Sequence, residues 1–369
     1  MNNNNSLYNP SLSTANGHAP ALHLWAAFIA AALFAASPGH AADRHWTGAL
    51  DGSWSQAGNW DPAGLPQDGD NLIFDHDSNN YMTNDLAASP IIHSLVFGSP
   101  DSLIAPDFFL SGQPVYVSSA ITLQLVSYSS YKVWLSCAIN LAGDVDVRVS
   151  PGENVLTDPN ELYFYYDAIF LGPNSMSMEA ISGSGGTGSA IYAYGLILGT
   201  GDITAYSGPN SSISIGGPDS IYDNIFTGKI FLFDGFFNFN KASAAVVTNA
   251  VVVFAGQVAH LNLAAPNEIG NHATLEVDDG SQLLLTGNNV TVGRLVLNNV
   301  HADASPSTLD SGTSLVGLND GITASVDNDH VHPTVKGRLN LVGYTQFNIT
   351  GGPEPGLEIQ APISGNARR

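Results

Sequence analysis

The pattern in this sequence best suited to acid–base work is "GDVDVRV", which sets Asp144 and Asp146 two residues apart with Arg148 following. On a β-strand, residues i and i+2 share a face, so Asp144 and Asp146 are expected to project together. Paired carboxylates cleave glycosidic bonds only at a set separation and with an orienting group from a neighbouring strand. Arg148 on the same face favours another use, an ion pair with Asp146 that holds structure. No catalytic residue is assigned on this pattern. Two other clusters carry metal-binding residue types: Asp75, His76 and Asp77 after an apolar run, and Asp327, Asp329, His330 and His332 in "DNDHVH". Strand alternation would send the two aspartates of the second cluster to one face and the two histidines to the other, so no single face gathers a ligand set. A solvated turn is the favoured reading, and neither a metal nor a cofactor is assigned.

The remaining candidates are weaker. Cys137 is the only cysteine, so no intrachain disulfide forms, and a thiolate nucleophile would need a histidine partner that spacing does not reveal. The run "GSGGTGS" at 183–189 lacks the lysine and the following helix of a phosphate loop and reads as a turn. Sequons at Asn210, Asn289 and Asn348 suggest exposed turns. Trp54 and Trp60 stand six apart among turn formers in "DGSWSQAGNWDPAGLPQDGDNLIF". With Trp46 and Pro66 they could close the end of a stacked structure, the favoured reading, or offer ring faces to a sugar. Trp25 and Trp134 are expected to complete no row with them.

Composition bounds the function. The 369 residues are 44% hydrophobic and only 11% charged, enough to bury a large core. Ten basic residues against 32 acidic ones leave a formal charge of −22, which repels phosphate backbones and anionic lipid surfaces. Nucleic-acid binding is excluded on that ground, and the acidity is read as a solubility device. Residues 24–37, "LWAAFIAAALFAAS", are too short to span a bilayer comfortably and run into "PGHAAD", with Gly39 and Ala41 at the small-residue positions of a signal-peptidase site. Residues 1–41 are therefore expected to be a signal peptide, although they contain no Lys or Arg. The mature chain is expected to be secreted or surface-displayed, without a transmembrane segment.

The body of the chain, 42–369, must then position whatever chemistry there is. It shows almost no helical periodicity and many short alternating runs cut by Gly, Asn and Asp. Leu275 and Val277, Leu283 and Leu285, Val290 and Val292, and Leu295 and Leu297 form one such series. Phe231 with Phe233, Phe237 with Phe239, and Val251 with Val253 form another. Strands so short and so evenly cut favour a β-solenoid over an antiparallel sandwich, with inward apolar side chains in one column and Asn at turns free to ladder. "MSMEAISGSGG" at 176–186 returns loosely as "LEIQAPISGNA" at 357–367. This divides the solenoid into a cap with a first repeat unit (42–180) and a second unit (181–369) that looks truncated.

The opening "WTGALDGSWSQAGNWDPAGLPQDGDNLIF" resembles that of autotransporter-associated β-strand repeat proteins, matching in order at Trp46, Gly48, Gly52, Trp54, Asn59, Trp60, Pro66, Gly69, Asp70 and Phe74. "ISGSGG", "DNIFTGKIFLFDG" and "GSQLLLTGNNVTVGRLVL" resemble the repeat units that follow in such proteins. The resemblance implies an all-β fold, a right-handed parallel β-helix of the passenger type, exported and displayed at a bacterial surface. It also implies a structural or adhesive protein, not an enzyme, whose partners are extracellular glycans or cell-surface components. The membrane β-barrel or sorting tail common in the family is lacking, so a truncated product or a free secreted piece is expected. The rival expectation is an extracellular β-helix that binds or cleaves polysaccharide.

Overall fold

The computed structural model describes residues 42–365 apart from 76–78, 99–106, 125–131, 152–158, 166, 184–187, 219–222, 242–244, 301–304, 327–330, 343–344 and 352–355. The leader expected at 1–41 lies outside the described residues, as do His76, Asp77, Asp327, Asp329 and His330. Within them the chain is nearly all strand, broken by one short 3-10 turn at Ala57–Asn59.

The alternating runs wind into a parallel β-solenoid of about ten turns. Each turn carries short strands on three faces, and each strand pairs in parallel with its equivalent one turn on. The first face runs from Asn71–Phe74 through Val145–Val149, Met176–Ala180 and Ile203–Ser207 to Gln346–Thr350. The second stacks Tyr81–Asn84, Phe108–Gly112, Lys132–Ser136, Asn160–Phe164 and Ser189–Ala193, and ends at Glu358–Ile359. The third holds Ile139–Leu141, Ile169–Gly172 and Ile197–Gly199 and resumes further along to finish at Ile363–Gly365. Long strands such as Val115–Leu123 and Thr308–Val326 turn the corners and serve more than one face. The step between turns varies from 20 residues (Thr274 to Arg294) to 31 (Val145 to Met176) because corner loops absorb the difference.

Inside, like positions stack on like. Leu72, Leu95, Ile121, Val147, Met178 and Ala205 are successive register partners and all are buried. Each of the larger side chains among these stabilises the fold by about 1.5–3 kcal/mol, which no single turn could secure alone. The series Leu275 to Leu297 points inward as its alternation required. Two other assignments are one residue out. Ile230 and Leu232 are buried and Phe231 faces outward, while Val252 and Phe254, not Val251, take the inward positions. The column decides this: Leu232 must seat between Ala205 and Phe254, and a one-residue slip would turn every side chain of the strand over.

The acidic residues have a structural use beyond solubility. Asp68 accepts the Ile91 amide at 2.8 Å, Asp144 the Ser175 amide at 2.8 Å, Asp202 the Lys229 amide at 2.7 Å and Asp107 the Lys132 amide at 3.0 Å. In each case a corner carboxylate reaches one turn along and satisfies a main-chain donor where ladder pairing lapses. Asn behaves likewise at corners, where Asn174 Nδ2 donates to the Leu141 carbonyl at 2.8 Å. The expected Asn ladder exists on a strand face instead: Asn262 donates to Asn238 at 3.3 Å. Gly235 sits at φ +114°, and a Cβ there would fall 1.8 Å from the Ser207 carbonyl oxygen, so no other residue fits that corner.

The first turn is closed as its tryptophans suggested. Trp46, Trp54 and Trp60 are 0%, 1% and 2% exposed, and Pro66 is buried. Trp60 packs edge-on against Trp46 at 4.9 Å and Trp54 at 5.7 Å, over Phe74. Trp60–Asp61 pairs antiparallel with Asp43–Trp46, covering the outer edge of the first strand. With these rings sealed in the interior, they offer no face to a sugar.

Candidate functional site

A site emerges on the outer surface of the second face. Strand alternation sends Tyr81, Phe109, Trp134, Tyr163 and Tyr192 outward, and they are register partners on five consecutive strands. Parallel strands lie about 4.8 Å apart, close to the separation at which aromatic rings stack. The four successive centroid distances are 4.8, 4.4, 5.4 and 4.5 Å, with ring planes within 12° of parallel. Tyr194 joins edge-on to Tyr163 at 6.0 Å, and Tyr165 lies 6.4 Å from Tyr194. Beyond Tyr192 the row continues as Ser214, Asn238, Asn262 and Thr286, so the aromatic stretch has a defined end. Trp134, expected to complete no row, stands at its centre.

Stacking decides what the ladder can touch. Each inner ring has both faces covered by neighbours and presents an edge, whereas Tyr81 ends the row and is 66% exposed. Beside the rings, Glu161 accepts the Tyr163 hydroxyl at 2.9 Å and the Tyr192 hydroxyl at 3.4 Å, and pairs with Lys132 Nζ at 2.8 Å. Burial, followed by the hydrogen bond and charge of Glu161, pushes the Tyr163 phenol well above its ordinary range. Burial and then Glu161 raise Tyr192 to about 12. Both hydroxyls are neutral donors at physiological pH. The surface therefore offers ring edges, neutral hydroxyls, one ring face and an ion pair, which is equipment for binding.

The candidates read from the sequence fall elsewhere. Asp146 accepts Ser177 Oγ at 2.6 Å, and Asp144 lies in the corner before the strand, bound to the Ser175 amide. Arg148 pairs with Glu179 at 3.3 Å, one turn on, and not with Asp146. The reason is spacing: a stacked neighbour is about 4.8 Å away, whereas i and i+2 along one strand are about 6.6 Å apart. Asp75 is bound by His45 Nδ1 at 2.8 Å, joining the first two turns. His332 accepts at its carbonyl from Thr334 Oγ1 at 3.1 Å. Among the described residues no three His, Cys, Asp or Glu side chains gather as a metal-ligand group. Ser189, at the end of the glycine-rich run, opens the strand Ser189–Ala193, so no helix follows as a phosphate loop would need. Cys137 is buried, and burial, aided by Asp167, pushes its thiol up to about 12, leaving it protonated and inert. A wide groove of about 860 Å³ crosses the corners at Asp234, Gln257, Asp279 and Gln282, and Asp234 is committed there to the Gln257 and Val258 amides.

The ladder left a signal in the sequence. Tyr81, Phe109, Trp134, Tyr163 and Tyr192 follow one another at 25 to 29 residues, the spacing of the turns, which becomes visible only once that spacing is known. No helix among the described residues is long and apolar enough to cross a membrane. Comparison with known proteins gives no matching family model, no matching curated protein and no matching solved structure.

Proposed function

We propose that this solenoid is an exported structural and adhesive protein of the autotransporter passenger type, and that the aromatic ladder of its second face is the contact surface. The observation that supports this reading is the run of outward rings from Tyr81 to Tyr192, held flat against one another by strand spacing. Aromatic side chains on a solvent face do nothing for solubility, and contiguous exposed apolar surface marks an interaction site. A rigid stack also loses little entropy on binding. The partner class is an extracellular glycan or another cell-surface component, met by the Tyr81 ring face, the ring edges and the neutral hydroxyls of Tyr163 and Tyr192. The carboxylates most suited to hydrolysis, Asp144 and Asp146, are engaged in holding neighbouring turns, which supports binding over cleavage.

The test is to pass the chain over a panel of immobilised polysaccharides and to assay the same panel for new reducing ends. The expected outcome is retention on at least one polymer, reduced several-fold by Tyr81→Ala, without new reducing ends. Cleavage abolished by Asp144→Asn or Asp146→Asn would replace this reading with a polysaccharide-degrading one.

A further inference from the structure

Among the described residues the third face is interrupted between Ile225–Phe226 and Val290–Asn299, where it shrinks to a single bridge, Val247 to Ile269. In that gap Lys241, Asn224 and Glu268 are sealed inside the protein at 0%, 2% and 0% exposure. Lys241 Nζ donates to Asn224 Oδ1 at 2.9 Å. The same oxygen accepts the Ile197 main-chain N–H at 3.0 Å, and Asn224 Nδ2 donates to the Val246 carbonyl at 2.9 Å, so the amide group is fixed at both ends. Glu268 accepts the Lys241 main-chain N–H at 2.5 Å and that of Ala264 at 3.0 Å, anchoring the segment that carries the lysine. An apolar side chain of similar volume would fill this place without the cost of taking an ammonium out of water. Keeping an amine at this place therefore carries a desolvation cost.

We propose that Lys241 and Asn224 join in the folded chain through an intramolecular amide, an isopeptide bond from Lys241 Nζ to Asn224 Cγ formed with loss of ammonia. The lone pair of the neutral amine attacks Cγ, the bond from Cγ to Nδ2 breaks, and a proton from Nζ passes to the departing nitrogen. One C–N bond is exchanged for another, with no oxidant, reductant or outside reactant. Negative charge developing on Oδ1 meets the Ile197 N–H already pointed at it. The nucleophile touches the amide it must attack, and confinement of this kind replaces the high concentration that amide exchange would need in solution. Burial, outweighing the pull of Asp223 and Glu268, brings Lys241 down to about 8 and so maintains a share of free amine near neutrality. Burial also raises Glu268 to about 7. Glu268 is a positioning residue here: it touches the lysine's main chain.

Trypsin reads the bond directly, because Lys229 lies between the two partners and a modified Lys241 is not cut. Without the bond, digestion of the folded, exported chain yields peptides 149–229, 230–241 and 242–294. With it, 149–229 is attached to an uncut 230–294 in one branched species, about 17 Da below the sum of its parts for the ammonia lost. The expected result is the branched species in the wild-type chain and its disappearance in Lys241→Arg and Asn224→Ala. Glu268→Gln is expected to lower the linked fraction at unchanged circular dichroism, and Asn224→Asp to change the loss to about 18 Da, that of water. Three separate peptides at full mass from the wild-type chain would overturn the proposal, whatever the variants do.

Discussion

Removing Trp60 tests how the solenoid is closed. Its ring is 2% exposed and meets Trp46, Trp54 and Phe74 at 4.9, 5.7 and 6.1 Å, and its indole N–H donates to the Trp54 carbonyl at 3.1 Å. Truncating a buried Trp to Ala costs about 3–5 kcal/mol, of which each aromatic pair accounts for about 0.5–1.5 kcal/mol. Turns of a solenoid contact only their neighbours, so this loss stays at one end. At about 1.4 kcal/mol per factor of ten, local opening should become roughly 10²–10⁴ times more frequent. Hydrogen exchange read by mass spectrometry on Trp60→Ala should show amides of Asp43–Trp46 and Asn71–Phe74 accelerated by that factor. Amides of Thr274–Val277 and Val290–Asn299 should keep the wild-type rate. Uniform acceleration along the chain, or none at the first turn, would refute the reasoning that a hydrophobic cap seals an open column.

Trp134→Ala removes two stacks, at 4.4 and 5.4 Å, worth about 1–3 kcal/mol together, and should lower the urea midpoint more than Phe170→Ala on the third face. Cys137, buried and protonated, should resist iodoacetamide at pH 8 in the folded chain and react within minutes once the chain is unfolded in denaturant. Glu268, raised from 4.5 to about 7, holds its proton more tightly in the folded state, so its contribution to stability is full below pH 4.5 and lost as pH rises through about 7. Lys241, lowered from 10.5 to about 8, contributes in the opposite sense, fully above 10.5 and lost as pH falls through about 8. Comparison of denaturation midpoints with Glu268→Gln should show the first change, and the second should be missing if the amine has become an amide.

Much of this fold was legible because a stacked column repeats its demands. Leu283 and Leu285 read correctly, since Gly, Asn and Asp mark where each strand stops. Phe231 misread because both parities of "KIFLF" are apolar, and only the partners above and below Leu232 decide between them. Arg148 misread for a related reason: its partner Glu179 is 31 residues away in sequence but adjacent in the stack. The two "ISG" copies occupy unlike places, with Ile181 just past a strand of the first face and Ile363 on a strand of the third. Trp134 belongs to a row whose other members are Tyr and Phe at the turn spacing, so comparison among the tryptophans alone does not reveal it. Lys241 and Asn224, 17 residues apart, carry no local signal of their meeting, because a break in the third face brings them together.

Parallel, in-register stacking over the whole length is best tested by a distance between two outward positions in one column. Asp146 and Thr323 are linked by seven successive register steps, through Ser177, Thr204, Phe231, Val253, Glu276 and Val296. At about 4.8 Å per step their main chains lie about 34 Å apart. Spin labels at Asp146→Cys and Thr323→Cys, with Cys137 left buried and unlabelled, should give a single electron–electron distance peak near that value, broadened by the label arms. A peak below about 25 Å, as two facing antiparallel layers about 10 Å apart would allow, would contradict the stacked arrangement on which the ladder, the cap and the buried lysine all depend.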